Sequence, residues 1–324
     1  MILFNFCENL DLFCLRFEIL FIFVKIILNK MEKYQINDLE RLTGIKAHTI
    51  RIWEKRYNLI EPHRTATNIR YYDDFQLKKI LNVSTLLESG YKISKVAVLN
   101  DDEMNKRVQN VQENSSDDIA NNAYVSDLII SMLAYDESGF EKIFSAVVLR
   151  YGLYDAMLNV IYPFLAKTGI LWISNKAMPS QEHFASSLIR RKLQAAIDGL
   201  AAPSKPEKIF LLYLPDDEWH ELSLVFSDYL IRKSGYKTIY LGQNVPAKNL
   251  DELVLKIKPT HALTFNISRK KPTDIQNHVA AIKKHSKHMT FLVGGNLGVM
   301  NDINQLKNVV LLRHPNDLLE ILTK

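Results

Sequence analysis

Three groups of side chains in this chain have types and spacings that could do chemistry. The first is in "PDDEWHEL" (215–222), where Glu218 stands two residues before His220, just after the apolar run "KIFLLYL" (208–214). An imidazole is a good transition-metal ligand, and a carboxylate on its other nitrogen fixes the tautomer and raises its basicity. The second is Trp172, followed after nine residues by Glu182 and His183. By spacing alone this corner reads more readily as a core tryptophan beside a solvated pair than as a site. The third is cationic. Residues 41–70 hold Arg41, Lys46, Arg51, Lys55, Arg56, Arg64 and Arg70 against Glu54 and Glu61, an excess equal to the whole chain's net charge of +5. Such clustering is what phosphate neutralisation requires.

The elements that must position these groups can be read from apolar period and turn residues. Ile36, Leu39, Leu42 and Ile45, then Ile50 and Trp53, suit two short helices packed together, with Asn37 as a cap and Gly44 at the turn. The second helix, "KAHTIRIWEKRY", exposes Lys46, His48, Thr49 and Arg51 near its start, where a helix in the major groove reaches base edges. Trp53, Leu59 and Phe75 are expected in the core. Residues 100–122 are polar and acidic and read as a linker.

Residues 123–203 carry three-to-four-residue apolar spacing throughout, with a break expected near "RYGLYD" and Pro179 in the first turn of the last helix; a four-helix bundle is the simplest packing. Residues 204–324 alternate apolar runs (208–214, 237–241, 261–267, 289–293, 308–312) with helical segments, which argues for a parallel sheet covered on both faces. Ligands in such folds sit beyond the carboxyl ends of the strands. "PDDEWHEL", "GQNVP", "SRKKP" and "GGNLG" all fall at those ends, and Gly294 and Gly295 would let a ligand approach the backbone.

Composition excludes some classes. The two cysteines, Cys7 and Cys14, lie within the first thirty residues, so no disulfide framework or thiolate zinc site can form beyond them. No G-x-G-x-x-G, G-x-x-x-x-G-K-[ST] or G-x-S-x-G motif occurs in a fitting context. Residues 1–30 are apolar but interrupted by Glu8, Asp11, Arg16, Glu18 and Lys25, too often for a spanning helix of about 20 apolar residues. They read as an upstream extension, with Met31 as the natural start, or else as a disordered or amphipathic surface segment. A cytoplasmic protein without stable membrane association is expected.

The run "INDLERLTGIKAHTIRIWEKRYNLIEPHRTATNIRYY" (36–72) resembles the MerR family of transcription regulators. That resemblance implies a winged helix-turn-helix over 31–99, with Arg64, Arg70 and Tyr71 in the wing and Arg56 and Tyr57 completing the DNA-binding set. Glu218 and His220, with the later Gly294–Gly295 pair, resemble the D-x-H-x-x-G and G-G signatures of cobalamin-binding domains; Ser223 stands where that signature has glycine, and "LTFNIS" (263–268) occupies the place of its S-x-L.

Taken in order, residues 31–324 are similar to light-sensing, adenosylcobalamin-dependent MerR-type repressors. The resemblance implies a multidomain α and α/β chain: a winged helix-turn-helix, a helical bundle and a flavodoxin-like doubly wound sheet. It implies His220 as lower cobalt ligand, Glu218 as its orienter, and Trp172, Glu182 and His183 over the cofactor's upper face. It implies a regulator that is not an enzyme, with double-stranded operator DNA and a homo-oligomer, dimer or tetramer, as partners. Some members carry a histidine directly after the bundle tryptophan; here that residue is Ile173. A MerR-type regulator whose sensor no longer binds cobalamin, a regulator that senses cobalamin level or a partner protein, and a cobalamin-dependent methyltransferase or mutase subunit remain open.

Overall fold

A computed structural model describes residues 33–173, 177–246, 250–267, 278–280, 282, 288–295 and 307–323. The reading of residues 1–30, and those of "SRKKP" and of "GGNLG" beyond Gly295, lie outside the described residues. The chain divides into two compact units, Met1–Ala185 and Ser186–Lys324.

The first unit opens with α1 (Ile36–Thr43) and α2 (Ala47–Tyr57). Asn37 is not the cap of α1: Gln35 precedes the helix, and its N–H donates to Asp38 Oδ2 at 2.7 Å. Gly44 ends α1 with φ of 73°, a left-handed conformation that glycine adopts without penalty. Two short antiparallel strands, β1 (His63–Arg64) and β2 (Arg70–Tyr71), form the wing, with His63 opposite Tyr71 and Arg64 opposite Arg70. Tyr72 is fully buried, pairs with Tyr34 through reciprocal backbone bonds, and donates its hydroxyl to Glu54 at 2.5 Å, which ties the wing to α2. Leu59 is buried and Trp53 half-buried as expected, but Phe75 is 58 % exposed. Phe75 lies in the first turn of α3 (Asp74–Glu88), whose core-facing residues are Leu77, Ile80 and Leu81.

A short α4 (Ile93–Val96) leads to the stretch expected as a linker, and that expectation is corrected: 101–114 is helical. Helix α5 (Asp101–Asn114) buries Met104, Val108 and Val111, a narrow apolar stripe at helical spacing inside a polar sequence. Asn100 and Glu103 close its start with a reciprocal capping box. At its other end the Arg150 guanidinium donates to the carbonyls of Gln112, Glu113 and Ser115 and to Asp117, satisfying the open carbonyls of the last turn. Helices α6 (Asp117–Leu133), α7 (Glu137–Ala156), α8 (Tyr162–Ile173) and α9 (Pro179–Asp198) follow. The break expected near "RYGLYD" falls at Gly152 (φ 77°, ψ 162°), and a π-helical turn, Met157–Ile161, leads into α8.

The second unit is built on a five-stranded parallel sheet. Its strands are β3 (Lys205–Pro215), β4 (Tyr236–Val245), β5 (His261–Asn266), β6 (Thr290–Gly295) and β7 (Val309–Leu312). Helices α10 (Leu222–Lys233), α11 (Leu250–Ile257) and α12 (Pro315–Thr323) accompany them. The spatial order β4-β3-β5-β6-β7 reverses direction at β3, so the topological switch point lies between β3 and β5. Leu211, Tyr213, Val254, Ala262, Phe291 and Val293 pack into one apolar cluster.

Candidate cofactor and nucleic-acid sites

The end of β3 is where the second unit gathers polar groups. The chain leaves Pro215, turns through Asp217 (φ 59°), and places Glu218 at the switch point. Glu218 is 0 % exposed, yet both of its oxygens are engaged. Oε1 accepts from the backbone N–H groups of Trp219 (3.0 Å) and His220 (3.1 Å), and Oε2 accepts from the Ile267 N–H at 2.8 Å, across the end of β5. The backbone carbonyl of Glu218 accepts from Asn244 N–H at 3.2 Å, and Asn244 Oδ1 accepts from Asp217 N–H at 3.0 Å. One buried carboxylate residue therefore joins the ends of β3, β4 and β5.

On this anchor stands His220. Its Nδ1 lies 2.6 Å from Glu218 Oε1, while the side chain is 60 % exposed. Nδ1 is the ring nitrogen engaged by the Glu218 carboxylate, and Nε2 is the other ring nitrogen, the one that could ligate a metal from a neutral imidazole. Trp219 is 56 % exposed. Beside it, Glu221 accepts from Tyr240 Oη at 2.7 Å, and Arg190 Nε lies 3.1 Å from its other oxygen. Burial and the Glu221 carboxylate push the Tyr240 hydroxyl well above its usual pKa.

Ser223 lies in the first turn of α10 and does not have a positive φ, so a side chain there carries no backbone strain. Gly294 and Gly295 end β6 in register with Phe265 and Asn266. A Cβ on Gly294 would come within 2.3 Å of Phe265 Cε1, and one on Gly295, at φ of 124°, within 2.1 Å of the Asn266 carbonyl oxygen. The neighbouring strand alone therefore requires both glycines, before any ligand is considered. Sequence reasoning missed Asn266. It is 2 % exposed, and neither polar atom of its amide has a hydrogen-bond partner among the described residues. An asparagine inside the apolar run "HALTFNI" was the available signal.

In the first unit, Trp172 is 55 % exposed near the end of α8. Glu182 Oε2 and His183 Nδ1 lie 2.9 Å apart in the first turns of α9. Gln181 holds this start in place: its amide donates to the Leu133 carbonyl at 3.0 Å and accepts from Met178 N–H.

The nucleic-acid candidates sit on α2 and the wing. His48, Arg51 and Arg56 are exposed; Thr49 and Tyr57 are half-buried. Lys46 is exposed but pairs with Glu40 at 3.0 Å, and Glu40 also accepts from the Ala47 N–H that opens α2. These bonds, the Lys46 one foremost, hold the Glu40 carboxyl below its usual pKa. Arg64 is held by Asn68 Oδ1 at 2.6 Å, Arg70 faces it across the wing, and Tyr71 packs between His63 (5.3 Å between centroids) and the Lys33 ammonium (4.8 Å from the ring).

The described residues hold a winged helix-turn-helix, an architecture whose second helix can enter a DNA groove, a helical bundle, and a parallel sheet of the kind whose ligands sit beyond the strand ends. Family comparison makes this specific. Residues 34–102 match the MerR HTH family regulatory protein model and residues 125–197 the B12 binding domain model.

Among characterised proteins it is similar to the HTH-type transcriptional repressor CarH of Myxococcus xanthus, 26% identical over 254 residues that cover 78% of this chain and 84% of that protein. It is also similar to the repressor CarA of the same organism, 26% identical over 236 residues, covering 71% and 76%. Among solved structures, a monomethylamine corrinoid protein of Methanosarcina barkeri is similar with 11% identity and a TM-score of 0.49, covering 62% of this chain and 98% of that one. No helix among the described residues is long and apolar enough to cross a membrane.

Proposed function

We propose that this chain is a transcriptional repressor whose hold on operator DNA responds to cobalamin. The observation that carries the reading is the buried Glu218 at the switch point of the sheet, its carboxylate 2.6 Å from Nδ1 of an exposed His220. The donor set suits a metal that arrives already chelated. Among the described residues no group of three or more His, Cys, Asp or Glu could hold a bare ion, whereas a metal already held in a corrin would take a single imidazole from the chain. The orphaned Asn266 amide, close to Ile267 and its bond to Glu218, supports a polar ligand group at the same strand ends. The B12-domain match and the two similar repressors support it independently.

In this reading His220 would hold the metal of cobalamin through Nε2, and Glu218 would fix and polarise the imidazole. Asn266 offers a donor and an acceptor to the buried part of the ligand. Trp172, Glu182 and His183 are the first unit's proposed cofactor residues, Glu182 and His183 lying 2.9 Å apart. Cobalamin in its adenosyl form would supply a cobalt–carbon bond that visible light breaks. The chain turns over no substrate: its residues bind, orient and release. Its partners are double-stranded DNA, met by α2 and the wing, and further copies of itself.

The test is spectroscopic. Purified protein mixed with adenosylcobalamin should show the spectrum of a cofactor whose own base is displaced by histidine, and His220→Ala should lose it. An identical spectrum for the variant would remove His220 as the ligand.

A further inference from the structure

Helix α2 carries an isoleucine that packing does not account for. Ile50 is fully buried and Leu59, just beyond the helix, is 2 % exposed, yet Ile52 is 51 % exposed. At 100° per residue Ile52 stands roughly opposite Ile50. His48 and Arg56, four residues before and after, and Lys55, three after, share its face, and Arg51 borders it; all four are exposed. The centre of the helix's cationic face is therefore apolar. A single exposed aliphatic residue is ordinary on a protein surface. One ringed by cations on a helix that reads DNA is placed against the one apolar group that the major groove offers, the C5-methyl of thymine.

We propose that Ile52 is a specificity-determining residue that reads a thymine methyl, with the surrounding cations holding the phosphates on either side. This rests on the DNA-binding reading of residues 34–102. It makes a chemical prediction that a phosphate contact does not: removing the methyl from one thymine should matter, and only while Ile52 is present.

The experiment uses the full chain and double-stranded DNA selected by it from a random pool, with and without adenosylcobalamin. Each thymine is replaced in turn by deoxyuridine. At one position per half-site the wild type should bind about fourfold more weakly without the methyl, the factor one buried methyl-sized group is worth. Ile52→Ala should show the same loss on thymine DNA and no further loss on uracil DNA, while Ile52→Val keeps part of the discrimination. If no position is sensitive, or if the wild type and Ile52→Ala lose equally, the inference is overturned while the DNA-binding reading stands. If the chain enriches no DNA at all, both fall.

Discussion

A carboxylate with no exposed surface costs several kcal/mol to desolvate unless its oxygens are satisfied. Glu218 meets that condition with three backbone N–H groups and the His220 ring. Its oxygens are therefore all engaged, Oε1 within 2.6 Å of the His220 ring. Glu218→Gln keeps the volume and removes the charge, and it should weaken cobalamin binding about 10- to 100-fold, the usual cost of losing the partner of a metal-bound histidine. Titration of the variant with the cofactor checks this, and unchanged affinity would reduce Glu218 to a structural bracket. His261 behaves differently. Its ring stacks on the buried Phe210 at 4.5 Å, and burial lowers its pKa from 6.5 to about 4, with Lys208 adding to the effect. Between these values the unfolded chain binds a proton that the folded chain refuses, so stability falls as pH drops from about 6.5 to 4 and is fully present above 6.5. His261→Gln should flatten that slope in denaturant unfolding followed across the window; an unaltered slope would contradict the assignment. The sequence showed Glu218 and His220 as a pair, but not that the pair bridges three strands, because the partners Asn244 and Ile267 are distant in the chain and act through backbone groups or a side-chain amide at the end of β4.

At the scale of elements, the strand ends decide which residues are free to serve a ligand. Gly295 sits at φ of 124° with the Asn266 carbonyl where its Cβ would be. Gly295→Ala should therefore destabilise the second unit by about 1–3 kcal/mol or more, through overpacking and backbone strain together. Thermal unfolding without cofactor is the check: a loss seen only with cobalamin present would mean that the glycine serves the ligand and not the sheet. The sheet was legible because its strands are continuous apolar runs, and all five appear at the expected places. Helix α5 was not, because Met104, Val108 and Val111 make too thin a stripe to stand out among polar neighbours. Its capping box and its hold on Arg150 are what make the segment helical, and only the first of these is local in sequence. Phe75 failed as a core residue for a related reason: an aromatic in a first turn shows its type but not its face.

For the whole molecule, α2 and the wing belong to the first unit and His220 to the second. A repressor that responds to cobalamin needs a coupling free energy between them, and such coupling is reciprocal: whatever factor the cofactor adds to DNA affinity, operator DNA must add to cofactor affinity. The shift can be no larger than the cofactor's differential affinity for the two states. The most direct measurement is operator retention on a native gel, with wild type and His220→Ala each examined without cofactor, with adenosylcobalamin in the dark, and after illumination. The account predicts that the wild type holds DNA more tightly with the cofactor in the dark and releases it on illumination, while His220→Ala responds to neither. Equal retention by the wild type under all three conditions would contradict it.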